Sequence, residues 1–286
     1  MEKIAIITDV NAGLDYVERK LDIHVLRSMI HFKDEHFVDG IDMKADSFYK
    51  RLQKTDVIPS TSAPTIGEAM ELLDKLVEEG YTDAIMYSIS AEMSCINQMM
   101  HSLAEEYKDK IKLHVFDTLL AAYLQGYMVE CAKDMVDDGK TVEEILKYSE
   151  FLRDNSHTYF IVDNLNYLVK NGRLKAFSGA MGALLKIKPI LEIDKQGRIV
   201  VNSKVRTHSK AVEEALEKLF NELKDAKKAK IIVFHTCREN DAKLLSEKIK
   251  NENPIFNDVE VHMVTPAVGA HIGPGILGFG YFILER

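Results

Sequence analysis

Two groups of residues carry chemistry that a plain scaffold does not require. The first is Ser60-Thr61-Ser62, three consecutive hydroxyls between Pro59 and Pro64. Thr65 and Glu68, just downstream, have capping-box spacing and are accounted for by the start of a helix. Three hydroxyls in a row exceed what capping requires. The second is His271, held between Gly269 and Gly273 in the stretch 268–280, which contains five of the chain's 15 glycines. Glycine lets a backbone take positive φ or come close to another group, so this clustering marks close approach rather than a plain connector. Something has to approach this backbone, with His271 as the group that meets it.

Gly273-Pro-Gly-Ile-Leu-Gly278 matches G-x-G-x-x-G, which raises a dinucleotide cradle. That cradle needs a helix after the glycines and an acidic residue about 20 positions further on. Here a β-like run follows, the sequence ends at Arg286, and Pro274 removes a donor, so the nucleotide reading is rejected. No P-loop, G-x-S-x-G elbow or H-E-x-x-H helix occurs. Ser, His and Asp residues in a chain of this length always include candidates for a triad, which is no evidence for one. His31 and His36, with Asp34 and Glu35 between them, read as a solvated loop. Arg206 reads as a surface ion pair, and Arg173 with Lys170 and Lys175 as a solvated basic face.

Composition narrows the class. With 286 residues and 46% apolar content the chain can bury a large core. Its 45 acidic and 37 basic residues leave a net charge of −8, against a general nucleic-acid binder. Cys95, Cys131 and Cys237 are widely spaced without a Cys-x-x-Cys, which gives no zinc site and fits a reducing compartment. No apolar run reaches the ~18 residues of a membrane span, and the N-terminal run is too short for a secretory signal. A cytoplasmic protein is expected, without metal or cofactor.

The elements that must position these residues alternate. Lys3–Ile7, Asp83–Ile89 and Ile111–Phe116 read as strands, each emptying into a polar loop and followed by helical patterns at Ile66–Gly80, up to Lys108, and at Ala121–Asp138. His24–Phe32 and His36–Asp39 read as strand-like, Lys44–Lys54 as a helix, and Thr141–Glu144 as a second capping box. This predicts a parallel sheet with helices on both faces, its ligand edge lined by the loops after the strands. Beyond residue 155 the pattern becomes α+β. Strands are expected at Thr158–Val162, in a hairpin turning at Asp194-Lys-Gln-Gly197, at Lys230–His235, Val259–Val264 and Phe279–Leu284. Helices are expected at Asn164–Lys170, in the amphipathic piece Ala176–Leu185, before Lys224, and at Asp241–Asn251. The fold class is α/β in two domains, a parallel-sheet α/β/α domain at 1–150 and an α+β domain at 151–286.

Thr8-Asp9, Ser60-Thr-Ser-Ala-Pro64, Ile89-Ser-Ala-Glu-Met-Ser94, Asn171-Gly-Arg173 with Ile187-Lys-Pro-Ile-Leu191, Val205-Arg-Thr207 and His271-Ile-Gly-Pro-Gly275 occur in the order and spacing of the DegV family. The chain resembles that family over essentially its whole length. The resemblance implies a lipid tunnel between or beside the two domains, holding one long-chain fatty acid. It implies the binding subunit of a bacterial fatty acid kinase, which presents the carboxylate to a separate kinase subunit for acyl-phosphate formation in phospholipid synthesis. Thr61, Ser94, Arg206 and His271 are implied to hold the carboxylate, with Asp9, Ser62 and Gly273 behind them and Arg173 as a kinase contact. Transient membrane contact is implied as well. Val10, Ala63 and Cys95-Ile96-Asn97 depart from the family pattern and bear on ligand identity more than on ligand class.

The physics suits an amphiphile. Burying each CH₂ contributes about 0.8 kcal/mol, so a sixteen-carbon tail gains roughly 12 kcal/mol before association costs. A carboxylate desolvated without partners costs several kcal/mol, which hydroxyl donors and Arg206 or a protonated His271 would offset. The tail is expected along Phe160–Leu191 and Ile276–Phe282. An acyl hydrolase or acyltransferase using Ser94 or Thr61 with His271 is the alternative, and a lipid-responsive regulator without a kinase partner a third reading.

Overall fold

A computed structural model describes residues 2–174 and 188–286. The expected amphipathic piece at 176–185, Lys175 and Ile187 lie outside the described residues. The first part runs β1 (Ile4–Asp9), β2 (His24–Leu26), β3 (Met29–Phe32), β4 (Glu35–Val38), α1 (Ala45–Leu52), β5 (Ser60–Ser62), α2 (Ile66–Glu78), β6 (Asp83–Ser88), α3 (Ile96–Tyr107), β7 (Lys112–Asp117), α4 (Tyr123–Asp137) and α5 (Val142–Asp154). The second runs β8 (Ser156–Ile161), α6 (Asn166–Lys170), β9 (Lys188–Ile193), β10 (Ile199–Val205), α7 (His208–Glu222), β11 (Lys228–His235), α8 (Glu239–Glu252), β12 (Val259–Met263), α9 (Pro266–Ile272) and β13 (Leu277–Glu285).

β1 lies at the centre of a parallel sheet of order β2-β1-β6-β7. Every residue of β6 and all but the first of β1 are buried. Such unbroken burial belongs to a parallel sheet covered on both faces, as the strand–helix alternation predicts. Thr65 and Thr141 close the two predicted capping boxes on α2 and α5.

The later strands form a mixed sheet of order β10-β9-β8-β13-β11-β12, in which β11 and β12 alone pair in parallel among the described residues. Strand alternation divides its side chains between two cores. Phe160, Leu191, Ile193, Ile232, Phe234 and Phe282 join the core of the first sheet, together with Ile7, Met86, Ile89 and, from α4, Leu124 and Met128. Tyr159, Ile161, Ile231, Val233 and Phe279 instead pack with Leu219 of α7 and Ile249 of α8.

A third sheet, β4-β3-β5, is small and antiparallel. The Ser60-Thr61-Ser62 stretch is therefore a strand on β3, with Thr61 opposite Ile30. His31 and His36 correct the expected solvated loop. They face each other across the β3–β4 hairpin, with their Nδ1 atoms 2.7 Å apart. The first part of the glycine stretch belongs to the helix α9, with Thr265 as N-cap and Pro266 in the first turn. His271 therefore stands on the last turn of a helix.

Candidate functional site

One cavity of about 340 Å³ lies where these elements meet. Its apolar wall comes from one face of the large sheet, through Phe160 (β8), Ile193 (β9), Ile199 (β10) and Phe234 (β11), completed by Ile89, Val264, Val268 and Ile272. Its polar wall comes from other elements: Thr61 and Ser62 of β5, Ser94 before α3, Arg173 after α6 and His271 of α9.

Thr61 and His271, 210 residues apart in the chain, make the central contact, Oγ1 to Nε2 at 2.7 Å. Burial, with the nearby positive charge of Arg173 as the smaller cause, pushes the His271 pKa down to about 4. The imidazole is therefore neutral near pH 7 in the empty site. His271 Nδ1 is buried and has no partner among the described residues. With the proton on Nε2 the histidine donates to Thr61, which leaves the Thr61 hydroxyl hydrogen free for an anion.

Four fastenings hold this pair. Asp39, fully buried, accepts a hydrogen bond from the Ala267 amide at 2.7 Å and so secures the start of α9. Burial raises the Asp39 carboxyl to about 7 against the pull of that bond. Tyr49 donates its hydroxyl to the Val264 carbonyl at 2.9 Å, just before α9. Gly269 lets the helix lie directly on the Tyr49 and Phe48 rings. Asn171 donates to the carbonyls of Ala270 (3.1 Å) and Pro59 (3.4 Å), tying α6 to α9 and to the start of β5.

Arg173 follows Gly172, which takes φ +73° as the turn demands. The guanidinium is half-buried, donates to the Met93 carbonyl at 3.2 Å and to that of Asn171, and borders the cavity. Arg206 sits elsewhere. It is exposed, lies between the end of β10 and the Thr207 N-cap of α7, and is not part of the cavity wall. Ser94 borders the cavity and its Oγ accepts from the Ile96 amide at 3.4 Å, at the positive end of α3.

The residues expected behind the head group divide. Asp9 is fully buried, its pKa raised by desolvation, and it accepts from the Ile89 amide (2.8 Å) and from Asn11 Nδ2 (2.6 Å). It does not line the cavity itself but holds Asn11 and Ile89, which both do. Ser62 lines the cavity and contacts His31 Nε2 at 3.0 Å. Gly273 turns the chain after α9 at φ +79°, where a Cβ would run into Tyr167, and it accepts from the Thr236 hydroxyl through its carbonyl. Of the departures, Ala63 and Cys95 line the cavity, Val10 is buried, and Asn97 donates to Ser88 Oγ at 2.9 Å behind it.

Sequence reasoning missed Asn11, Ser28, Ile193, Ile199 and Phe234 as wall residues. The alternation along each strand was the available signal, since it names the positions that share a face within that strand. Residues 276–282, expected along the tail, contribute none to the wall.

Fold and site together define a mixed α/β protein enclosing a mainly apolar cavity closed by hydroxyls, a neutral histidine and an arginine. The chain belongs to the DegV family: residues 3–284 match the family model described as "Uncharacterised protein, DegV family". A DegV domain-containing protein of Clostridium acetobutylicum is 33% identical over 280 residues, 97% of this chain and 98% of the relative. Among solved structures, a fatty acid binding DegV family protein of Streptococcus agalactiae superposes with a TM-score of 0.90 at 29% identity, covering 99% of each chain. DegV of Bacillus subtilis, described as a fatty acid binding protein, gives a TM-score of 0.86 at 28% identity, covering 99% of this chain and 100% of its own.

Proposed function

We infer that this protein binds one long-chain fatty acid in the cavity and presents its carboxylate to a separate kinase subunit. The observation that carries the reading is the Thr61–His271 pair at 2.7 Å in the wall of a mainly apolar cavity. About 340 Å³ falls within the roughly 300–1,000 Å³ of small-molecule sites. The carboxylate takes hydrogen bonds from Thr61 and Ser94, and Arg173 supplies the positive charge, in place of the exposed Arg206. The fatty acid binding of the S. agalactiae and B. subtilis relatives supports the ligand class. Residues 1–150 and 151–286 act as two units that meet at the cavity, in a cytoplasmic protein.

The acyl hydrolase reading takes support from the same pair, because a hydroxyl at 2.7 Å from a histidine is the geometry of a nucleophile and its base. Two facts weigh against it. A histidine titrating near 4 is a weak base at neutral pH, and among the described residues its Nδ1 lacks the orienting carboxylate that such pairs use. Incubation of the loaded protein with ATP should give acyl phosphate only once a kinase subunit is added. Ester or acyl-phosphate turnover by the isolated protein, lost in Ser94→Ala or Thr61→Val, would instead establish the enzyme.

A further inference from the structure

Two polar side chains of the cavity wall have no part in holding the carboxylate. Asn11 and Ser28 line the cavity although they are only 6% and 4% exposed. Asn11 Nδ2 is spent on Asp9 at 2.6 Å, which turns Oδ1 the other way. Neither Asn11 Oδ1 nor Ser28 Oγ has a hydrogen-bond partner among the described residues, and both stay open to water. The sheets fix their place. β1 and β2 run in parallel with Asp9 level with Leu26, and Asn11 and Ser28 each follow two residues later, at the edge where open α/β sheets bind ligands. Ser28 also leads into β3, two residues before Ile30, and so shares the face of Ile30 and its partner Thr61. Met29 pairs with Ser62, which puts Ser28 level with Ala63, two strand residues or about 7 Å beyond Thr61. A second path agrees. The Asp39 amide donates to the Ser28 carbonyl at 3.0 Å, and the Asp39 side chain accepts from the Ala267 amide, four helix residues or about 6 Å before His271. Arg173 lies on the opposite side, because its turn is tied through Asn171 to Pro59, two residues before Thr61. A carboxylate held between Thr61 and Arg173 thus leaves Asn11 and Ser28 beside the first carbons of the chain.

A plain acyl chain passing these two atoms displaces their water and returns no hydrogen bond, a cost that an oxygen on the chain removes. We propose that Asn11 and Ser28 are specificity-determining residues and that the ligand they select is a long-chain acid with a hydroxyl close to its carboxylate. The ligand hydroxyl donates to Asn11 Oδ1 and accepts from Ser28 Oγ. This rests on the fatty-acid reading of the same cavity.

The test is calorimetric titration of the whole protein, stripped of lipid, with octadecanoic acid and with its derivatives carrying a hydroxyl on the second, third or twelfth carbon. The second- or third-carbon hydroxy acid should bind about tenfold more tightly than octadecanoic acid, and the twelfth-carbon one no more tightly. In Ser28→Ala and in Asn11→Ala that preference should fall to about threefold or less. The preference is a ratio within each variant, so a general loss of folded protein does not move it. A tenfold preference that survives in either variant overturns the role of that residue. A parent protein that binds octadecanoic acid as tightly as the second- and third-carbon hydroxy acids, or that favours the twelfth-carbon hydroxyl equally, overturns the proposal while leaving the fatty-acid reading in place. Failure of all four acids to bind overturns that reading with it.

Discussion

His271 shows what a single residue's surroundings decide. Its sequence setting marked it as the group that meets the ligand, and Ser60–Ser62 stood out by their number. Neither signal contained the pairing of His271 with Thr61, because no local spacing links residues 210 positions apart. The residues alone showed Arg173 as part of a basic cluster and the resemblance implied a kinase contact, since composition does not say which way a guanidinium turns. The bonds of Asn171 to Ala270 and Pro59 and the turn at Gly172 settle that. The depressed His271 pKa has a direct consequence. A folded-state value of about 4, below the ordinary 6.5, means that the folded protein keeps the ring neutral. Its contribution to stability is present above pH 6.5 and is lost as pH falls toward 4. Between pH 6.5 and 8 the ring does not change charge, so fatty-acid affinity should vary less than about twofold across that range. Histidine-resolved NMR should place the empty protein's His271 transition near 4. A transition near 6.5, with affinity falling steeply above it, would return the counter-charge to His271.

At the scale of elements, α9 is where reading and structure part. Thr265-Pro266 is a legible helix start, an N-cap followed by proline in the first turn. Gly269 and Gly273 argued the other way, because glycine in a helix interior costs about 1 kcal/mol relative to alanine. Packing overrides that cost. Gly269 lies under Tyr49 and Phe48, and an added Cβ there would press on Tyr49 Oη and sit 3.0 Å from Phe48 Cε1. Gly269→Ala should therefore destabilise the protein by about 1–3 kcal/mol in urea unfolding, against the sign of helix propensity. A stabilised variant would mean that α1 and α9 do not pack this closely. Elements with strong periodicity or caps, such as β1, β6, α2 and α5, were legible because their signals are local. Ser60–Ser62 was not, since a three-residue strand exists only through its pairing with β3.

Across the whole molecule, strand–helix alternation announced the parallel sheet and the change of pattern after residue 155 announced a different second half. The strand order of the larger sheet was not legible. β13, the last strand, is inserted between β8 and β11, a pairing decided by long-range packing. The cavity depends on that insertion. Gly278, next to Phe160 and Phe234, lets these two wall residues close over β13, where any Cβ would collide with both. The alternation along each strand could name the inward faces, but only the assembled sheet shows that Phe160, Ile193, Ile199 and Phe234 form one wall. No described helix is long and apolar enough to cross a membrane. Native mass spectrometry of protein purified without added lipid tests the central claim most directly. The account predicts a single adduct per chain with the mass of a fatty acid of roughly 14–18 carbons, with occupancy falling about tenfold or more in Thr61→Val and Arg173→Ala. A protein that carries no such adduct and takes up none when long-chain fatty acid is supplied would contradict it.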